Sequence, residues 1–510
     1  MVRQKKAFLN VFKDLKKVQI ILLIFLILTT VFFRFFRIRD YVVFLGDEGR
    51  DMIIMRQMIQ NVRPVFLGPT ASVGGFYLGP IYYWMAAPFL ALTFFDPVGP
   101  SIMVALFGFA TVILLFRFLK ETVGFYPAIL ASFLYATSPL IVRYSRSSWN
   151  PNPLPFFALL LIYSLYLAIS RKKLSYFLLT GASFGVAIQL HYLSIMLIPI
   201  AFLIILVNSK IKSIPKIFML CMLGAFITFS PFLIFELKHN FPNFRTILEF
   251  MTRPTTHGYA SYNFIGLITS YGNIFIENLS GLIGTNITRL VLWTLALVNI
   301  YALYKNFKDQ NKRLIYSISV IWLFGGLLFI KFYAGQIFDY YYGFIFPAPF
   351  FALAILISVF WQNLILRASA VAFTVICLAW FISNGFYTHN PNRLINQTET
   401  VAKFVIDKSE GKPFNFGLIS DHNSDHAYRY FLDIYGHKPT ELEALITDQL
   451  LVVCESQKCA PLGHPSWEIA GFGRAEIQEE WQLPNIGIRV IKLKHWPGAP
   501  NPAGKPAIKG

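Results

Sequence analysis

Six consecutive residues, Gly46-Asp47-Glu48-Gly49-Arg50-Asp51, gather three carboxylates and one guanidinium. An amphipathic stretch, Met52–Val62, follows at once, so Asp47 and Asp51, four residues apart, fall on one face of a helix that begins near Gly46. Acids in a first turn also complement the positive end of the helix dipole, so the motif alone fits a helix start as well as a reacting site. Further groups along the chain alter that balance. Gly74-Gly75-Phe76-Tyr77-Leu78-Gly79-Pro80-Ile81-Tyr82-Tyr83-Trp84 is a glycine, proline and aromatic segment. Arg143-Tyr144-Ser145-Arg146 ends an apolar run and leads into Asn150-Pro151-Asn152-Pro153. His191 follows Gln189-Leu190, Lys331 ends another run, and Asp339-Tyr340-Tyr341-Tyr342 precedes Phe346-Pro347.

The elements that must position these residues are membrane helices. The chain has 510 residues, is 55% hydrophobic and is only 14% charged, well below the roughly 25% of soluble domains. Apolar runs of roughly 16–22 residues recur from Val18 to Phe386, each flanked by basic or aromatic residues. A net charge of +19 does not make a nucleic-acid binder, because the Lys and Arg residues sit in small clusters between apolar spans and not on one surface. The four cysteines form no zinc pattern. Cys221 and Cys377 lie inside spans, and Cys454 and Cys459 stand close together near the C-terminus, where an oxidising compartment would let them pair.

Basic loops mark the cytoplasmic face: the N-terminus, Arg171–Lys173, Lys210–Lys216 and Lys305–Arg313, with Lys120 and Arg367 as weaker markers. Five apolar segments separate the first two: Val18–Phe33, Phe76–Phe95, Pro100–Phe118, Val123–Val142 and Leu154–Ser170. Five crossings would put the two basic clusters on opposite faces, so one segment does not cross. Phe76–Phe95, broken by Gly79, Pro80 and Pro88 and rich in Tyr and Trp, is that segment, an interfacial bed that includes Tyr82 and Tyr83. Seven more spans bring the expectation to about eleven helices. Outside then lie Phe36 to about Gly99, Tyr144–Pro153, His191, Glu236–Asn286, Lys331–Tyr341 and everything after Phe386. One feature resists: Arg34, Arg37, Arg39, Arg50, Arg56 and Arg63 crowd the first external loop against the charge bias. Either an anionic headgroup lies there or the parity is wrong.

The expected domains are a transmembrane domain over 1–386, an external α/β domain over 387–496 and a flexible tail over 497–510 rich in Pro, Gly and Ala. The polar stretch alternates helical patterns (Leu394–Lys408, Asp425–Tyr435) with strand-like runs (Phe414–Ile419, Leu450–Cys454, Ile486–Lys492).

An acidic pair after the first helix, a Gly-Pro aromatic segment on the outer face and an external Ser-Arg before Asn-Pro-Asn-Pro resemble the C-type (GT-C) membrane glycosyltransferases. The likeness is to their protein O-mannosyltransferase and lipid A sugar transferase branch, and it covers roughly Val18 to Phe386. The resemblance implies a polyprenyl-phosphate sugar donor, an external hydroxyl acceptor on a protein, glycan or lipid, and inversion at the anomeric carbon. It implies Asp47 as the base and Glu48 as the group that positions acceptor or metal. An attacking hydroxyl loses its proton as the bond forms, which a carboxylate can accept. The leaving phosphate needs cations: Arg146 and Lys331, with Arg143 in reserve and Arg50 nearby. Asp51, Tyr82, Tyr83, His191 and Tyr341 complete the expected substrate-binding set. The chain departs from the pattern where relatives that use a metal or a second acid place an Asp on the second external loop: here Asn150 and Asn152 stand there, which speaks against a divalent metal. No other cofactor is implied.

Two other readings stand beside this one. A transporter or flippase of a lipid-linked or anionic solute also needs external arginines, but its spans would carry polar groups near the bilayer midplane, whereas these concentrate charge at their ends. A catalytically dead relative would serve as a membrane scaffold for its external domain.

Overall fold

A computed structural model describes residues 16–71, 74–252, 293–330 and 337–496. Lys331, most of the expected 236–286 loop and the tail from 497 lie outside the described residues. The chain divides into two compact units that do not follow chain order. One comprises the residues up to Ile38, Pro64–Phe89 and Pro100–Asn390; the other comprises Arg39–Arg63, Leu90–Gly99 and the chain from Pro391. The first external loop was expected to belong wholly with the membrane helices, but two of its segments group with the C-terminal residues.

The first unit is helical. Among the described residues, six helices are long and apolar enough to cross a membrane: Lys17–Phe35, Val98–Val123, Leu154–Arg171, Ile211–Lys238, Gln310–Ile330 and Leu364–Ser383. A seventh span forms if Asp339–Ile345 and Ala348–Phe360, bent by 53°, are taken together. Shorter apolar helices include Phe125–Thr137 and Ser175–Leu190. Phe125–Thr137 continues as Pro139–Tyr144 after a break at Ser138, whose φ and ψ of −52° and 121° are the extended backbone that a following proline imposes. Ile81–Leu92 has 12 residues, about 18 Å of helix against a hydrocarbon core of about 30 Å. By itself it is shorter than the hydrocarbon core.

Contacts sort the helix ends into two groups. At one end Arg171 pairs with Glu121 at 2.6 Å, Tyr126 stacks on Trp361 and Arg367 covers the Trp361 ring. At the other, Arg143 pairs with Asp339 at 2.8 Å and Asn150 donates to the Leu190 carbonyl at 2.7 Å. The basic markers Lys120, Arg171 and Arg367 thus share one face, and Arg143, Asn150 and Asp339 share the opposite one. Close packing inside the bundle uses small residues, as membrane helices do: a Cβ at Gly181 would stand 1.8 Å from the Cys221 carbonyl oxygen.

The second unit carries a sheet of β1 (Asn415–Ile419), β2 (Gln449–Cys454), β3 (Ala475–Leu483) and β4 (Ile488–His495) in the order β1-β2-β4-β3. β1 and β2 are parallel, and the other two pairings are antiparallel. Leu450, Val452, Ile491 and Leu493 bury one face against Ile469 and Phe472. Cys454 at the end of β2 is disulfide-bonded to Cys459. The helices Leu394–Lys408 and His426–Ile434 complete the C-terminal part. The helix Gly46–Gln60 packs on His426–Ile434 and buries Met52 and Met55, while the preceding Phe44 sits edge-on to Tyr430 and Phe431.

Candidate functional site

The acidic motif begins a helix, Gly46–Gln60, whose N-cap residue Leu45 has no side-chain oxygen to offer the first-turn amides. Glu48 turns back and accepts from the Leu45 amide at 3.0 Å, and Asn423 Oδ1 accepts from the Gly46 amide at 2.9 Å. Two glycines set the approach to the neighbouring helix. A Cβ at Gly49 would meet the backbone of Ala427 at 2.3 Å, and one at Gly46 would overlap the Ser424 side chain.

Three carboxylates a few residues apart therefore have different surroundings. Glu48 is buried, and burial pushes its pKa up to about 7, with the nearby Asp47 and Asp51 charges adding to the shift and the amide bonds opposing it. Asp51 is buried, its side chain 2% exposed, whereas that of Asp47 is 59% exposed. Arg50 joins the two, donating from Nη1 to Asp47 and from Nη2 to Asp51, both at 2.9 Å. The only one of the three that presents its carboxylate is Asp47, on a helix fixed at its first turn and along its buried face.

Most arginines of the loop expected outside have partners within the fold. Arg39 pairs with Asp96 at 2.8 Å and with Glu399 at 3.3 Å, and both carboxylates hold its pKa above the usual arginine value despite partial burial. Arg56 bonds Asp433, Arg50 holds Asp47 and Asp51, and the buried Arg34 donates to the Ala136 carbonyl. Arg39, Arg50 and Arg56 thus have carboxylate partners within the fold, whereas Arg34 keeps Nε and Nη2 buried without a hydrogen-bond partner.

In the first unit, Asp339 accepts from Arg143 and from the Tyr144 hydroxyl. Around that ion pair, Trp149 and Tyr340 lie 4.4 Å apart, Tyr340 and Tyr341 4.7 Å, and the His191 ring is 4.8 Å from Tyr341. His191 Nδ1 accepts from the Leu193 amide at 3.2 Å, and burial lowers the imidazole pKa to about 4, so the ring is neutral at neutral pH. The Arg143 side chain is 64% exposed, which leaves it turned to the surface beside an aromatic group.

Other expected residues take structural places. Arg146 is buried, donates to the Phe33 and Phe36 carbonyls at 3.0 and 2.8 Å, and lies 3.8 Å over the Phe386 ring. It closes the C-terminal end of the first helix, where a cation both satisfies orphan carbonyls and complements the dipole. Tyr82 and Tyr83 were expected on an interfacial bed but are fully buried, because the helix Ile81–Leu92 is covered on the face that also carries Ala86, Ala87 and Leu90. Asn150 and Asn152 hold the Leu190 and Ser147 carbonyls, both at 2.7 Å. Among the described residues no group of three His, Cys, Asp or Glu side chains is placed to hold a metal ion. Sequence reasoning missed Asn423, Tyr428 and Glu455, which support the acidic helix from more than 370 positions away; nothing in their local pattern marks them.

Residues 78–235 match the family model of the dolichyl-phosphate-mannose-protein mannosyltransferases. No curated protein matches the chain in sequence. In structure the chain is similar to ArnT from Cupriavidus metallidurans in the apo state, with TM-score 0.62, 11% identity and coverage of 92% of this chain and 97% of that one. It is similar to the same protein bound to undecaprenyl phosphate, with TM-score 0.61, 11% identity and the same coverage. It is also similar to the Archaeoglobus fulgidus oligosaccharyltransferase tethered to an acceptor peptide, with TM-score 0.53, 14% identity and coverage of 87% of this chain and 69% of that one. The chain has the GT-C fold that these proteins share.

Proposed function

We propose that the protein is an inverting glycosyltransferase that moves a sugar from a polyprenyl-phosphate donor to a hydroxyl acceptor at the external face of the membrane. The observation that carries this reading is a solvent-facing carboxylate, Asp47, on a helix otherwise locked by burial and capping, in a chain with the fold of a protein solved with undecaprenyl phosphate. Asp47 takes the proton of the attacking hydroxyl, and Arg50 holds its carboxylate in place. Glu48 and Asp51, both buried, shape the turn and not the reaction. Arg143, exposed beside Trp149, Tyr340 and Tyr341, and Lys331 hold the leaving phosphate. Arg146 is left out of that group because its guanidinium is bound to helix carbonyls. The donor's chain lies in the bilayer, and the parity is that of about eleven crossings, which sets the first loop outside.

The test is turnover of a panel of undecaprenyl-phosphate-linked hexoses and pentoses by purified protein supplied with a membrane extract. Wild type should consume one donor and label an acceptor, and Asp47→Asn should lose about 10²–10⁴-fold in rate while still binding donor. Turnover of Asp47→Asn within threefold of wild type removes Asp47 from the mechanism. Vectorial movement of the lipid without transfer would favour the flippase reading.

A further inference from the structure

The amide of Gly46, the residue before Asp47, donates to Asn423 Oδ1 at 2.9 Å. Asn423 Nδ2 in turn donates to both oxygens of Glu455, at 2.9 and 3.2 Å, and the Tyr428 hydroxyl donates to Glu455 Oε1 at 2.7 Å. The Ser424 amide adds a second bond to Asn423 Oδ1, also at 2.9 Å. An asparagine amide has two unlike ends, and a carboxylate can only accept. Glu455 therefore draws the NH2 end of Asn423 toward itself and leaves the oxygen end for Gly46. Without that carboxylate the amide can turn over and set a donor against the Gly46 N–H.

Glu455 is itself anchored. Its amide donates to the Ile419 carbonyl at 2.9 Å, and it follows Cys454, which is paired in register with Ile419 and Arg489 and bonded to Cys459. A continuous path thus runs from the end of the sheet through Glu455 and Asn423 to the first turn of the acidic helix.

We propose that Asn423 and Glu455 are positioning residues for the transfer reaction: they touch no substrate but fix the helix start that aims Asp47. The inference rests on the reading of Asp47 as the base. Their polarity makes the claim testable by exchange. Asn423→Asp keeps an acceptor for Gly46 but sets two carboxylates against each other; Glu455→Gln no longer dictates which way the Asn423 amide faces. In the double variant the new amide at 455 donates and the new carboxylate at 423 accepts, which reverses the direction of that bond but restores the donor–acceptor match and keeps an acceptor for Gly46.

The experiment uses full-length protein in lipid nanodiscs, with the donor of the panel that it turns over, and two readouts: steady-state kinetics and hydrogen exchange of the peptide that contains residues 45–50. Each single variant should lower kcat by about 10–100-fold, the cost of misplacing a reacting group by about 1 Å, with donor KM within twofold and exchange at least about 10-fold faster. The double variant should return kcat and exchange to within threefold of wild type, which a variant that merely fails to fold would not do. Unchanged exchange and kcat in the single variants, or a double variant as slow as the product of the two, overturns the proposal. Full turnover by Asp47→Asn together with intact rescue of exchange would overturn the catalytic role alone, leaving the pair as a helix cap.

Discussion

Gly49→Ala tests whether the packing of the acidic helix and the chemistry at Asp47 are connected. An added Cβ would lie 2.3 Å from the Ala427 nitrogen and 2.5 Å from the Ala427 Cα and the His426 carbonyl carbon, all backbone atoms that no rotamer change can move aside. Ordinary contact needs about 3.5–4.0 Å, so the helix Gly46–Gln60 must withdraw from His426–Ile434 by about 1 Å or more. Two energetic effects oppose each other. Alanine is a better helix former than glycine by about 1 kcal/mol, while overpacking of this kind costs about 1–3 kcal/mol. The net loss of stability is therefore small, about 0–2 kcal/mol, and the protein should still fold. A displacement of about 1 Å at the reacting carboxylate, however, costs about 10²-fold in rate. The expectation is a variant with near-normal yield and melting temperature and a kcat lower by one to two orders of magnitude. Gln57→Ala on the exposed side of the same helix serves as control. Turnover of Gly49→Ala within twofold of wild type, in folded protein, would refute the link between this contact and catalysis.

Glu48 should make stability fall as pH rises. Its folded pKa, about 7, lies above the unfolded value of 4.5, so between those values the folded state binds more protons than the unfolded state and loses stability by up to roughly 3 kcal/mol. Glu48→Gln, which keeps an acceptor for the Leu45 amide, should flatten denaturation midpoints measured from pH 4.5 to 7; a profile unchanged by the substitution would contradict the burial argument. Arg146→Gln should lower yield and thermal stability and leave donor affinity alone in the surviving protein, whereas Arg143→Gln should weaken donor titration by about 10–150-fold, the worth of a charge-assisted bond. The reverse result would return the phosphate to Arg146. For the orientation, in a chain with Cys221 and Cys377 replaced by alanine, an impermeant maleimide should label Cys454 and Cys459 in intact, reduced cells. Labelling by a permeant reagent alone would put the C-terminal unit inside.

Against an expectation of about eleven spans, six or seven helices among the described residues are long and apolar enough to cross a membrane, while the C-terminal elements were legible because burial imposes a period on the sequence. Leu394–Lys408 is a helix over the range that its apolar spacing predicts, and β1, β2 and β4 fall within two residues of the predicted starts. β3 was not legible: it is an edge strand whose residues are mostly exposed on both faces, so Ala475–Leu483 carries no alternation to read. The helix Pro242–Thr252, only 11 residues long, lies inside a stretch read as loop, after the polar Lys238-His239-Asn240 break. In the candidate site, residue types identified Asp47 and Arg50 but not their separate fates from Glu48 and Asp51, which are decided by a neighbouring helix that begins at His426. Arg146 was legible as a cation and illegible as a helix closure, because its partners are backbone carbonyls that any sequence supplies.

The second unit is assembled from Arg39–Arg63, Leu90–Gly99 and the chain after Asn390, and this gives the protein a timetable. A ribosome adds about 5–20 residues per second, so the acidic helix emerges about 19–75 s before the helix it packs on has been made. Through that interval Phe44 lacks Tyr430 and Phe431, and the helix that carries Met52 and Met55 lacks the helix His426–Ile434. The segment proposed to react is made long before the helix that fixes its shape. A truncated product that ends before Pro391 would insert its membrane helices and still lack the support that makes Asp47 a fixed carboxylate.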